Sequence, residues 1–124
     1  MTITTLATRY NDFRDAFGKH VSADYDGIVE DLFAPSFTKN GNGIREVSER
    51  GQILDRLRKV REKAGSWEIK IQEIIPSIDN TQCVLRYVLT TVQAGDFGAI
   101  VILTSLSGEQ IESVEEIYYQ ITPA

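Results

Sequence analysis

FGAIVILTSLSGEQIESVEEIYYQI, residues 97–121, reads as two long strands joined by a tight turn at Ser107-Gly108. In the first strand Ile100 and Ile102 alternate with Val101 and Leu103, so both faces are apolar. The second sets Ile111, Ser113, Glu115, Ile117 and Tyr119 against Glu112, Val114, Glu116 and Tyr118. A period of two is the signature of a strand in a sheet. Working outward, Thr81–Gln93 repeats the pattern, with Cys83, Leu85, Tyr87 and Leu89 opposite Val84, Arg86, Val88 and Val92. Gly95-Asp96 turns it into the strand that follows. Further back, Trp67, Ile69 and Ile71 alternate with Glu68, Lys70 and Gln72, until Ile74-Ile75 break the rhythm. That break predicts a bulge near Glu73. With a turn at Asp79-Asn80, these segments form a four-stranded antiparallel meander.

The first half of the chain changes period. Leu6, Tyr10, Phe13 and Phe17 make one face of an amphipathic helix, with Thr4 or Thr5 as its cap and Gly18 at its end. A shorter helix fits Asp24–Phe33 and stops before Pro35. Asn40-Gly41-Asn42-Gly43 signals a turn between a short strand at Ser36–Lys39 and an extended piece at Ile44–Val47. Ser48 is placed to cap a third helix, Glu49–Ala64, which carries the stripe Ile53, Leu57, Val60 and Ala64 and closes at Gly65. Arg56, Arg58, Lys59, Arg61 and Lys63 crowd its second half, where cations suit the negative end of the helix dipole. The layout is α+β: three N-terminal helices packed on a mainly antiparallel sheet, within one domain spanning residues 1–124.

Thirteen Lys and Arg against eighteen Asp and Glu give a net charge of −5, which disfavours nucleic acid and anionic membranes as partners. The opening MTITTLATRYNDF has neither a basic start nor a long apolar core, so a cytoplasmic location is expected. A lone cysteine, Cys83, excludes an intrachain disulfide and has no histidine in sequence reach. No metal-ligand spacing and no dinucleotide fingerprint is present, so neither a metal nor a cofactor is expected. Helices on one face of the sheet leave the other face apolar, which predicts a homodimer through the open face.

The order of elements, and the ending in which Gly108-Glu109-Gln110-Ile111 precedes Glu115-Glu116-Ile117-Tyr118-Tyr119, resemble the nuclear transport factor 2-like superfamily, especially its SnoaL-like branch. The resemblance implies a cystatin-like arrangement in which a curved sheet forms a cone around the helices with an internal hydrophobic pocket. Carried onto this chain, it makes Tyr10, Phe13, Phe17, Phe33, Phe37, Trp67, Arg86, Tyr87, Glu116 and Tyr118 candidates for a ligand site. Which parity of each strand faces inward stays open, because one bulge reverses it.

Three functional readings follow. The first is a protein that binds an apolar or mixed small molecule in a hydrophobic cavity. The second is a cofactor-free lyase, isomerase or hydrolase of SnoaL-like type, with Glu116, His20 or Glu112 as the acid or base. Enzymes with this fold include ketosteroid isomerases and polyketide cyclases. The stretch Phe37-Thr38-Lys39-Asn40, matching the position of the isomerases' base, holds no carboxylate. The third is a protein-interaction module docking through the open sheet face. Arg86 and Glu116 are charges within otherwise apolar strands, serving either as polar handles for a ligand or as structural ion pairs.

Overall fold

A computed structural model of the protein describes residues 2–123. Helix α1, Ile3–Lys19, buries Ile3, Leu6, Ala7, Tyr10, Phe13, Arg14 and Phe17. It begins earlier than the apolar stripe suggests, because the Thr2 side chain, and not Thr4 or Thr5, accepts the Thr5 N–H at 3.2 Å. Helix α2 is only Asp26–Leu32. Phe33 has already turned to extended backbone and opens strand β1, Phe33–Gly41. Asn42 (φ 49°) and Gly43 (φ 80°) lead into β2, Ile44–Val47, where positive φ at both turn positions matches the twist of a hairpin. Ser48 does not cap the third helix. Its N–H is bound by the Gln52 side chain at 2.7 Å across a 3-10 turn at Arg50–Gln52, and α3 proper is Ile53–Ala64.

Strands β3 (Trp67–Pro76), β4 (Gln82–Thr91), β5 (Asp96–Thr104) and β6 (Ile111–Thr122) form the expected meander. The register slips between Ile71 and Glu73, where the broken alternation placed a bulge. The full sheet has six strands in the order β2-β1-β6-β5-β4-β3. All pairs are antiparallel except β1 with β6. That parallel pairing breaks between Phe33 and Thr38, a span that contains Pro35, which has no N–H to offer a ladder. Strands β2 and β3 remain edges, so the sheet is not closed into a barrel.

Pairing fixes which side chains share a face. Tyr87 lies opposite Ala99, and Ala99 opposite Tyr118; Leu85 opposite Val101, and Val101 opposite Glu116; Cys83 opposite Leu103, and Leu103 opposite Val114. These residues make the inner face. Near the β5–β6 turn Cys83, Leu85, Val101, Leu103 and Val114 are buried in the core. Beside them the rings of Tyr10, Phe13, Phe17, Tyr25, Phe33, Phe37 and Trp67 form a connected cluster, with Phe33 and Phe37 edge-to-face at 4.7 Å. On the outer face Ile100, Ile102, Ile117 and Tyr119 are exposed. No helix among the described residues is long and apolar enough to cross a membrane.

One close approach ties α1 to the sheet. A methyl group on Gly18 would stand 2.2 Å from the Trp67 indole, which also stacks on Phe17 and donates its Nε1–H to the Arg14 carbonyl at 2.9 Å. Helix propensity alone favours alanine over glycine by about 1 kcal/mol. Overpacking a ring boxed in on several sides costs about 1–3 kcal/mol. Gly18→Ala is therefore expected to lower stability in urea unfolding, and a stabilised variant would disprove this packing.

Candidate functional site

The inner residues at the β4–β5 end do not meet a helix that fills the space. Leu89, Thr91, Phe97, Ala99, Tyr118 and Trp67 instead face a cavity of about 240 Å³, closed on its far side by Leu57, Val60 and Ala64 of α3. The cavity floor is charged. Arg14, Lys39, Glu46, Tyr87 and Glu116 line it, and Arg56 stands at its edge.

Each floor residue is placed by its own element. Arg14 lies four residues after Tyr10 and three before Phe17, which puts it on the buried stripe of α1. Its guanidinium carbon is 5.1 Å from the ring centres of both Tyr10 and Tyr87, within cation–π range. Its Nη1 donates to the Tyr87 hydroxyl at 3.0 Å. That hydroxyl in turn donates to Glu116 Oε2. Lys39, level with Val114 across the parallel pair, holds its Nζ 3.3 Å from Glu116 and 3.5 Å from Glu46. Arg56 Nη2 lies 3.0 Å from the other Glu46 oxygen. Gly41 leaves room for that carboxylate, since a Cβ there would be 2.4 Å from it.

The result is a row of alternating charge: Arg14, Glu116, Lys39, Glu46, Arg56. Burial alone would raise the Glu116 pKa, but Lys39 and Arg14 together with the Tyr87 hydroxyl bring it down to about 2. Burial likewise works against the charge on Lys39, but Glu116, Tyr10 and Glu46 together outweigh it, so its pKa ends up raised. Arg14 is also raised, against its burial, by Tyr10, Tyr87 and Glu116. Burial pushes the Tyr87 hydroxyl well above the usual tyrosine value. Arg14, Lys39 and Glu116 thus stay ionised at neutral pH, and Tyr87 stays protonated.

Arg14 is not fully satisfied by its neighbours. Its Nη2 is 3.7 Å from Glu116, beyond hydrogen-bond length, and its Nε has no partner. A buried guanidinium with one bonded nitrogen out of three retains donor capacity.

Of the residues singled out from sequence, Trp67, Tyr87, Glu116 and Tyr118 come together around the cavity. Tyr10, Phe13, Phe17, Phe33 and Phe37 are placed elsewhere: their rings pack on one another in the core, and only Tyr10 touches the site, beneath Arg14. Arg86 has the opposite parity to Tyr87, so it lies on the outer face, bound to Glu73 and Gln72. His20 is exposed beyond α1, its backbone N–H bonded to Ala16. Glu112 accepts the N–H groups of Leu106 and Ser107 and so organises the β5–β6 turn. Cys83 is a buried thiol whose pKa burial raises. Among the described residues no group of His, Cys, Asp or Glu is placed to hold a metal. Sequence reasoning passed over Arg14, Lys39 and Glu46. For Arg14 a signal was present, because its spacing from Tyr10 and Phe17 places a charge inside an apolar stripe.

No family model matches the chain, and no curated protein matches it. Solved structures do. An NTF2-like protein of unknown function from Exiguobacterium sp. 255-15 superposes with a TM-score of 0.76 at 18% identity, covering 92% of this chain and 98% of that one. A protein from Jannaschia sp. CCS1 assigned to the SnoaL-like polyketide cyclases gives 0.75 at 14% identity, over 94% and 84%. One from Agrobacterium tumefaciens C58, assigned as an isomerase of the SnoaL-like family, gives 0.73 at 12%, over 94% and 96%. At such identities the likeness is one of fold. The chain has the nuclear transport factor 2-like fold that SnoaL-like proteins share.

The Glu116 pairing predicts a pH dependence. Above the usual carboxylate value of 4.5 the group is ionised in both folded and unfolded chains, and the folded chain holds the full advantage. As pH falls below 4.5 the unfolded chain protonates first, so the advantage shrinks and is gone near pH 2. The shift corresponds to on the order of 3 kcal/mol. Glu116→Gln should flatten the stability profile across that acid window in urea unfolding at stepped pH. A variant with the wild-type slope would show that Glu116 is not held this way.

Proposed function

We propose that this protein binds a small, largely apolar molecule in the cavity between α3 and the inner face of β4, β5 and β6. The observation that carries this reading is the Arg14 guanidinium, buried at the cavity floor with Nε unpartnered and Nη2 outside hydrogen-bond reach of Glu116. A buried donor left unmatched costs about 1–3 kcal/mol, which a ligand oxygen at Nη2 would in part recover. The walls supply the apolar contact: Leu57, Val60, Trp67, Leu89 and Phe97. A few convergent polar groups at the base of an apolar cleft is the usual composition of a small-molecule site.

The electrostatics favour binding over acid–base catalysis. A carboxylate held at about pKa 2 is a weak base at neutral pH, and Tyr87 with a raised pKa is a weak acid. The floor is built to hold charge in place, not to pass a proton on. The enzyme reading then rests on the fold alone, and one fold hosts many functions.

The second part of the proposal is assembly. Ile100, Ile102, Ile117 and Tyr119 form an exposed apolar strip on the outer face of the two central strands. We propose that a second copy of the chain covers it, since soluble monomers seldom leave such a strip open.

Trp67 is the only tryptophan in the chain and lines the cavity, so its fluorescence reports occupancy. Titration with octanol should shift its emission saturably. Val60→Phe, which projects a ring into the cavity from a half-buried position, should weaken that response at least about tenfold, or 1.4 kcal/mol. An octanol response unaffected by Val60→Phe would place binding elsewhere. Native mass spectrometry should give twice the 13.9 kDa chain mass, and Ile102→Glu with Ile117→Glu should give the single chain. A wild-type monomer at micromolar concentration would remove the assembly proposal.

A further inference from the structure

The cavity lining runs against the charge of the chain. The sequence carries −5 overall, yet the cavity is lined by Arg14, Lys39, Arg56, Lys59 and Lys63 against only Glu46 and Glu116. Both carboxylates are already engaged. Glu116 is shared by Lys39 and Arg14, and Glu46 by Lys39 and Arg56. Lys59 and Lys63 line the mouth and have no ion-pair partner among the described residues.

Their placement on α3 separates them from an ordinary solvated face. Arg56, Lys59 and Lys63 are spaced three and then four residues apart, so they form one row along the helix. That row adjoins Leu57, Val60 and Ala64, the residues that wall the cavity. The apolar wall and the cationic rim are therefore neighbouring strips of one helix surface. A solvated basic face would lie opposite the apolar strip, and Arg58 does face away in this manner, paired with Asp55.

An apolar chamber rimmed by unpaired cations selects by charge as well as by size. A neutral guest gains nothing from the two ammonium groups, and a cationic guest is repelled. An anionic group carried on an apolar body gains both terms at once. Arg56 Nη2 is tied to Glu46, and the two unpaired groups, Lys59 and Lys63, are point charges without the bidentate geometry that singles out phosphate. A singly charged acid fits this rim.

We propose that the ligand of this cavity is an amphipathic carboxylate, with its apolar body against Trp67, Leu89 and Phe97 and its acid group at the mouth between Lys59 and Lys63, any further oxygen of the guest being left for Arg14 Nη2 at the floor. The proposal rests on the reading that the cavity binds a small molecule, and it adds the chemical class.

Three probes of matched chain length test it: octanoate, octanol and octylammonium, each titrated against Trp67 fluorescence. Octanoate should bind roughly tenfold more tightly than octanol, as expected for charge pairs at a partly exposed rim, and octylammonium most weakly. The octanoate preference should shrink between low and high salt, because the mouth is open to screening ions. In the double variant Lys59→Gln/Lys63→Gln octanoate should fall to the affinity of octanol. Both lysines are exposed, so folding does not depend on them. Equal binding of octanoate and octanol by the wild type would overturn the carboxylate assignment and leave small-molecule binding standing. A preference that survives in the double variant would also overturn it, by locating the acid group elsewhere. Failure of all three probes would overturn both readings.

Discussion

The cavity end of this molecule depends on the cost of burying Glu116. Its carboxylate sits on the inner face of β6 with 6% of its surface exposed. Left without partners there, a charge destabilises a protein by about 3–5 kcal/mol. It is held by groups from three other elements: Tyr87 from β4, Lys39 from β1 and Arg14 from α1. Those elements must arrive in one register for the charges to be met. A slip of one residue in β6 would turn Ile117 inward and Glu116 out to solvent. The polar floor thus acts as a check on the pairing of the sheet.

The same strands build a dense core at one end and a cavity at the other. Near the β5–β6 turn the inner positions are Cys83, Leu85, Val101, Leu103 and Val114, packed beside an aromatic cluster that leaves no room. Toward the β4–β5 turn Tyr87, Ala99 and Glu116 follow, with Ala99 small and the other two engaged in hydrogen bonds. Helix α3 closes over this end with Leu57, Val60 and Ala64, none of them large enough to reach the floor. A void lined this way forfeits dispersion contacts, so an occupant regains what the packing leaves unmade.

Much of the fold was legible because its signals are local. The stripe of α1, the four alternating strands, the bulge beside Glu73, a turn within residues 40–43 (β1 in fact runs on to Gly41) and the stop at Gly65 each follow from a few adjacent residues. The site was legible only in part. Trp67, Tyr87, Glu116 and Tyr118 line the cavity, whereas Phe13, Phe17, Phe33 and Phe37 went to the core, where their rings complete one another's packing. Arg86 and Tyr87 alternate on opposite faces of β4, and which of the two turns inward is decided by the side on which the helices pack. Lys39 gains its role only because β1 pairs in parallel with β6, a partnership between distant segments that no local pattern announces.

The amino-acid sequence by itself determined the kind and order of the elements, since helix and strand periods, turns and caps act over a few residues. It also determined that β5 is apolar on both faces, and hence that one of them is left to the outside. Only the tertiary structure decided which face of β6 turns inward, and so which charges are buried and what they meet. The physical reason is that Arg14 and Glu116, near opposite ends of the chain, become neighbours only when β1, β4 and α1 converge on β6, and it is their mutual pairing in a buried place that keeps both charged.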